Sequence, residues 1–170
     1  IFTFAGGVVD GTANSYWDLA DNTAGIGFTG DNYDFNTDYT NGFSLYVTAY
    51  NNGSDQYDHI WGIGPGFTGN SSSYEIISQL YSGSIGLWYA HSAVPYNASL
   101  PNGETHDLLF IIDTNNIGYI YKNGTLAASQ AFTNSVSQLG GGNNTTFSIG
   151  RGTQTTNKWR GSITNIKIWN

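Results

Sequence analysis

The stretch from His106 to Phe132, HDLLFIIDTNNIGYIYKNGTLAASQAF, constrains the chain most. Leu108 to Ile112 is a short run of strand formers, and Asn115-Asn116 and Asn123-Gly124 are two-residue turn signals that fold a chain back on itself. Three antiparallel strands therefore meander here. Five successive apolar positions from Leu108 to Ile112 predict a central strand covered on both faces, whereas the mixed pattern of Tyr119, Ile120 and Tyr121 predicts a strand nearer an edge.

The rest of the chain carries the same signals. After the Asn41-Gly42 turn, Phe43, Leu45, Val47 and Ala49 alternate with Ser44, Tyr46, Thr48 and Tyr50, which gives one apolar and one polar-aromatic face. Further strands are predicted over Ile1 to Phe4, Ala24 to Phe35, His59 to Ile63, Tyr74 to Tyr81 and Ile85 to His91, with Tyr16 to Leu19 either a strand or a loop. Between His91 and His106, Pro95 and Pro101 predict a surface loop, because proline cannot donate to a central ladder. Phe147 to Gly150 and Gly161 to Trp169 close the chain, and Ile163, Ile166 and Ile168 break the period of two, predicting a bulge near Thr164 or Asn165. No helical period persists, and turn signals recur at roughly the 8 to 12 residue spacing of all-β sandwiches. The expected architecture is all-β: one domain over residues 1–170, built as a two-sheet antiparallel jelly-roll sandwich.

Three segments in this order resemble laminin-G-like domains of the concanavalin A-like lectin and glucanase superfamily. They are GIGFTGDNYDFN followed by GFSLYVTAY, HDLLFIID followed by GYIYKNGTLAAS, and FSIGRG followed by KWRGSITNIKIWN. The resemblance implies that the first and last strands lie side by side. Members of that superfold bind sugars, bind proteins or hydrolyse glycans, so the resemblance fixes fold better than function.

At 170 residues the chain is long enough to bury about 70% of the surface its unfolded form exposes, without a covalent staple. It has no cysteine, which excludes disulfides and thiolate metal sites, and no methionine. A chain that starts inside an apparent strand, IFTF, is expected to be an excised domain or a processed fragment of something longer, and the expected parent is a larger, oligomeric assembly protein. It has no apolar run long enough for a membrane-spanning helix, so membrane insertion is not expected. The net charge of -7 disfavours nucleic acid, which needs a basic field. Arg151, Lys158, Arg160 and Lys167 cluster near the end, either as a patch for an acidic glycan or as partners for acidic loops.

Catalysis finds little support. Glycoside hydrolysis wants two facing carboxylates, and the chain's two glutamates, Glu75 and Glu104, lack the Glu-x-Asp-x-(x)-Glu run that the resemblance to laminarinase-type members would require. Asp55, Asp58 and His59, and His106 beside Asp107, form no inferable triad or zinc site. Glycoside hydrolase is the weakest reading and no catalytic residue is assigned. Calcium is a possible cofactor, because laminin-G-like domains often hold one and the N-terminal third is rich in carboxylates; Asp10, Asp31 and Asp34 are its candidate ligands.

Carbohydrate binding is the sharpest expectation. A pyranose presents an apolar C–H face and a rim of hydroxyls, so its site wants an aromatic ring and a few oriented polar groups. Aromatics are 15% of the chain, a surplus over core needs, and Tyr46, Tyr50, Trp61, Tyr74, Tyr81, Trp88 and Tyr89 are expected on one sheet. The candidate groove is Trp88, then Trp61, with Tyr89, His91, Asp58, His59 and Gln79. Sequons at Asn52, Asn70, Asn97, Asn123, Asn143 and Asn144 follow from composition and decide nothing. The low-charge, cysteine-free make-up resembles carbohydrate-binding modules of phage tail and baseplate proteins or of bacterial adhesins. The expected partner is a cell-surface polysaccharide, met outside the cell or at a virion surface. The rival from another class is a protein-binding or structural laminin-G-like module, with its interface on loops 92 to 105 and 134 to 144 and its strand aromatics buried.

Overall fold

The computed structural model describes residues 2–3, 17–20, 42–53, 57–65, 76–89, 92–132, 145–150 and 159–169. Among these, twelve strands form two six-stranded antiparallel sheets. The first sheet runs in the order β1 (Phe2–Thr3), β12 (Gly161–Trp169), β3 (Phe43–Asn51), β8 (Thr105–Ile112), β9 (Ile117–Lys122) and β10 (Thr125–Ala131). The second runs β2 (Trp17–Ala20), β11 (Thr145–Ile149), β4 (His59–Pro65), β5 (Ile76–Tyr81), β6 (Ser84–Tyr89) and β7 (Ser92–Ser99). Chain ends meet as expected, with Phe2 opposite Ile168. The strand expected over Ala24 to Phe35 lies outside the described residues.

Alternation sets the inner face. Phe43, Leu45, Val47 and Ala49 of β3 are buried while Ser44, Tyr46, Thr48 and Tyr50 are half-exposed, and Leu108, Phe110 and Ile112 of β8 continue the apolar layer. Across the sandwich they meet Ile60, Trp61, Ile63, Ile76, Leu80, Ile85 and Leu87. Each such side chain contributes about 1.5–3 kcal/mol by leaving water, which makes this layer the main source of stability.

Turn chemistry fixes register. Asn123 (φ 49°) and Gly124 (φ 79°) are both left-handed, the requirement of the tight hairpin turn their sequence signals, and Lys122 pairs with Thr125. Ser82 and Gly83 do the same between β5 and β6. The Asn115-Asn116 signal belongs to a longer turn organised by Asp113, whose Oδ1 accepts from the Asn115 and Ile117 amides and whose Oδ2 accepts from the Tyr119 hydroxyl. Burial alone would raise the Asp113 pKa, but these hydrogen bonds outweigh it and hold the carboxyl below its usual range. The bulge in β12 falls where the broken period puts it, between Thr164 and Lys167, with Asn165 at φ 53°.

Two expectations are corrected. Residues 92–99 form β7 rather than a loop; Pro95 is tolerated because β7 is an edge strand that lacks a second ladder to feed. The run Leu108 to Ile112 is not covered on both faces: Leu109 and Ile111 are half-exposed on the outward side.

Candidate functional site

The second sheet's inner residues are Trp61, Ile63, Ile76, Ser78, Leu80, Ile85 and Leu87, so their neighbours His59, Ile77, Gln79, Tyr81, Gly86 and Trp88 face outward. Three tyrosines gather on this outward side. The rings of Tyr57 and Tyr81 are 5.6 Å apart and those of Tyr81 and Tyr96 are 5.5 Å apart, both tilted, forming a ladder along one end of β5, β6 and β7. Tyr57 and Tyr81 are 45% and 39% exposed, whereas Tyr96 is half-buried. Gly86 leaves the space that the Tyr96 ring fills.

The polar end of the ladder is wired through Gln79. Its Oε1 accepts from the Tyr96 hydroxyl, and its Nε2 donates to His59 Nε2 at 3.3 Å. That donor forces the His59 proton onto Nδ1, which has no partner among the described residues. Burial pushes the His59 pKa down to about 3, so the ring is neutral and acts as a fixed acceptor. Burial, together with Tyr57 and Tyr81, raises the Tyr96 hydroxyl to about 12 and keeps it a donor. One Gln79 amide hydrogen is left for a ligand oxygen.

Backbone strain marks the other end. Tyr57 sits at φ 74°, a conformation that a bulky side chain adopts at a cost of about 1–3 kcal/mol. Reciprocal bonds hold it there, from the Tyr57 amide to the Leu80 carbonyl and from the Leu80 amide to the Asp58 carbonyl, each 2.8 Å. In this conformation the ring lies against Tyr81. Asp58, next in the chain, is buried and ion-paired with Arg160 at 3.5 Å.

The sequence-predicted groove is therefore only partly assembled. Trp61 is corrected from platform to core: it is fully buried, packed edge-on against Phe43 at 5.9 Å and Phe110 at 5.4 Å, and the register puts it on the inner face with Ser78. His59 is fully buried as well, so it positions Gln79 and does not touch a ligand. Gln79 and Trp88 share the outward face, Trp88 half-buried opposite Ile77 and Ala93. Tyr89 is on β6 with its side chain outside the description, and His91, Tyr74, Glu75 and the calcium candidates Asp10, Asp31 and Asp34 lie outside the described residues. Tyr46 and Tyr50 belong to β3 of the first sheet, not to this face. Tyr57 and Tyr96 were missed. The alternation of exposed Asn97 and Ser99 with buried Ala98 and Leu100 was the available signal for a strand carrying Tyr96.

The first sheet carries a second aromatic surface. Tyr46 and Tyr121 flank Leu109 across β3, β8 and β9, above a depression of about 330 Å³ that Asp107 and Gly124 complete.

A laminin-G family model, described as concanavalin A-like lectin/glucanases superfamily, matches residues 10–170. The chain belongs to that superfamily. None of the curated protein sequences matches it significantly. Among solved structures, the Ruminococcus gnavus IT-sialidase CBM40 superposes with a TM-score of 0.61 at 14% identity, covering 80% of this chain and 83% of that one. Domain 4 of AbnA, a GH43 extracellular arabinanase from Geobacillus stearothermophilus, in complex with arabinotriose, gives 0.56 at 18%, covering 76% and 61%. The NanB sialidase from Streptococcus pneumoniae gives 0.58 at 15%, with 76% of this chain spanning 22% of that longer protein. At such identities the likeness establishes the shared fold alone.

Proposed function

We propose that this concanavalin A-like domain is a non-catalytic carbohydrate-binding module that recognises a cell-surface polysaccharide. The observation that carries the reading is the Tyr57–Tyr81–Tyr96 ladder, two of whose rings are open to solvent beside an oriented Gln79 amide. Successive rings about 5.5 Å apart offer stacking faces to an extended sugar chain, and the amide fixes hydroxyl orientation. Similarity to the IT-sialidase CBM40 and to the arabinanase domain holding arabinotriose supports a glycan over a protein partner. The protein-binding rival requires strand aromatics to be buried, and exposed Tyr81 on β5 argues against it. Trp88, half-buried on the same face, extends the platform, with Tyr89 and His91 as the remaining candidates of that groove.

The low-charge composition, rich in Asn, Gly and Thr, supports a placement on a phage tail or baseplate protein, where the domain holds the particle to its host. Calcium bound near Asp10, Asp31 and Asp34 is part of the same proposal.

The test is a glycan array probed with a multivalent form of the domain, with and without calcium, since shallow single sites become visible through avidity. Specific binding that Tyr81→Ala abolishes in a folded variant supports the module and its platform. Binding retained by Tyr81→Ala and lost in Trp88→Ala would move the platform along the face. Silence across bacterial surface polysaccharides would overturn the reading.

A further inference from the structure

The outward face of the first sheet stands apart from the ladder, on the other side of the sandwich, and its composition is unusual for a surface. Leu109 and Ile111 are half-exposed in the middle of the sheet, where alternation ordinarily places polar residues. Cross-strand register sets Tyr46 and Tyr121 on either side of Leu109. Two strand spacings separate their backbones by about 9.5 Å, with Leu109 between them and the Tyr46 hydroxyl reaching Asp107 on the middle strand. The depression there, about 330 Å³, is lined by Tyr46, Asp107, Leu109, Tyr121 and Gly124.

Asp107 gives this slot an oriented acceptor. Its Oδ1 accepts from the Tyr46 hydroxyl at 2.7 Å and from the Thr48 hydroxyl at 2.8 Å. Its amide donates to Asn123 Oδ1 at 2.9 Å and its carbonyl accepts from the Asn123 amide at 2.8 Å, so the hairpin turn clamps it. The Asp107 side chain is exposed, and Oδ2 has no partner among the described residues. Lys167 closes the far side of Tyr46, its Nζ 5.7 Å from the ring centroid, and makes no ion pair with Asp107. Burial and Asp107 both raise the Tyr46 pKa, while its contact with Thr48 opposes them.

We propose that this slot is a second carbohydrate site, which takes one neutral pyranose between Tyr46 and Tyr121. The C–H faces of the sugar meet Leu109 and the two rings, and a hydroxyl donates to Asp107 Oδ2. A fixed carboxylate acceptor selects hydroxyl donors and repels carboxylated or phosphorylated sugars, so the occupant is neutral. The site shares no residue with the tyrosine ladder and holds or fails independently of it. Together the two would make one domain bivalent, with binding faces on opposite sides of the sandwich.

Amide chemical shifts of the intact domain, followed during titration with maltohexaose, cellohexaose, mannohexaose, galactohexaose and 3′-sialyllactose, separate the two sites residue by residue. The expected result is saturable shifts at Tyr46, Asp107, Leu109 and Tyr121 with at least one neutral oligosaccharide and none there with sialyllactose. Tyr121→Ala and Asp107→Asn should each weaken those shifts about tenfold while leaving shifts around Tyr81 unchanged. Asp107→Asn keeps the side chain's size and so guards against loss of fold. The proposal is overturned if none of the neutral sugars moves these amides, if both variants titrate like the wild type, or if the shifts follow protein concentration without sugar, which would mark a contact between copies. Shifts confined to the ladder would overturn this site and leave the proposed function standing.

Discussion

The Tyr96 ring lies against Gly86 so closely that a Cβ placed on Gly86 would be 2.5 Å from the ring's Cδ1 and Cε1 atoms. The glycine is the seat of the tyrosine. Tyr96 in turn supports Tyr81 at 5.5 Å and donates to Gln79, so residue 86 sets the geometry of the whole ladder without facing a ligand. Gly86→Ala should push the ring out, costing about 1–3 kcal/mol by overpacking. Affinity for the glycan that the array identifies should fall about tenfold, as the Tyr96–Gln79 bond is lost. Urea denaturation and calorimetric titration of the same variant read the two effects. Unchanged affinity in a destabilised variant would show that Tyr96 serves the fold alone.

His59 predicts a pH dependence of stability. Its folded pKa is about 3 against 6.5 unfolded, so the unfolded chain takes up a proton between these values and the folded chain does not. The contribution is fully present above pH 6.5 and is lost as pH falls. By pH 5 about 2 kcal/mol should be gone, measured as a lower urea midpoint. Burial, with help from Lys122 and against Glu104, also lowers the His106 pKa, which adds a loss of the same sign. His59→Gln should flatten the slope between pH 7 and 5; an unaltered slope would assign the effect elsewhere.

The strands were legible where one signal dominated. Alternation in β3, the Asn123-Gly124 turn and the broken isoleucine period in β12 each depend on neighbours in sequence, and each was read correctly. Sidedness was not legible. Trp61 and Trp88 are both tryptophans on strands of the same sheet, and the register shift between His59 and Trp61 places the first on the inner face. Leu109 and Ile111 failed in the opposite sense, because an open apolar face and a buried one have the same sequence. Residues 92–99 hid Tyr96 because proline forbids a central strand but not an edge one.

Trp61 and Tyr81 should separate folding from binding. Trp61→Ala empties the contact with Phe43 and Phe110 and should cost about 3–5 kcal/mol, so any lost binding would track unfolding. Tyr81 is 39% exposed, with its ring against those of Tyr57 and Tyr96. Tyr81→Ala should change stability by no more than about 1 kcal/mol and still reduce glycan binding. Thermal melts beside binding curves decide it, and the opposite pairing of effects would remove the ladder from the site.

Gly161 separates space from backbone strain. A Cβ there would be 1.8 Å from the Tyr50 carbonyl oxygen and 2.9 Å from Trp159 Nε1, which itself donates to that oxygen at 3.2 Å. Neither neighbour can give way easily: the carbonyl belongs to β3 between two paired strands, and Trp159 is buried. Gly161→Ala should therefore cost more than about 3 kcal/mol or prevent folding. Gly53 has φ 79° but a Cβ there meets nothing within 4 Å, so Gly53→Ala should lose only about 1 kcal/mol. Denaturation of the two variants side by side measures the difference. Equal losses would mean that the β12–β3 approach relaxes, and that the end of the sandwich beside Trp159 is softer than its packing implies.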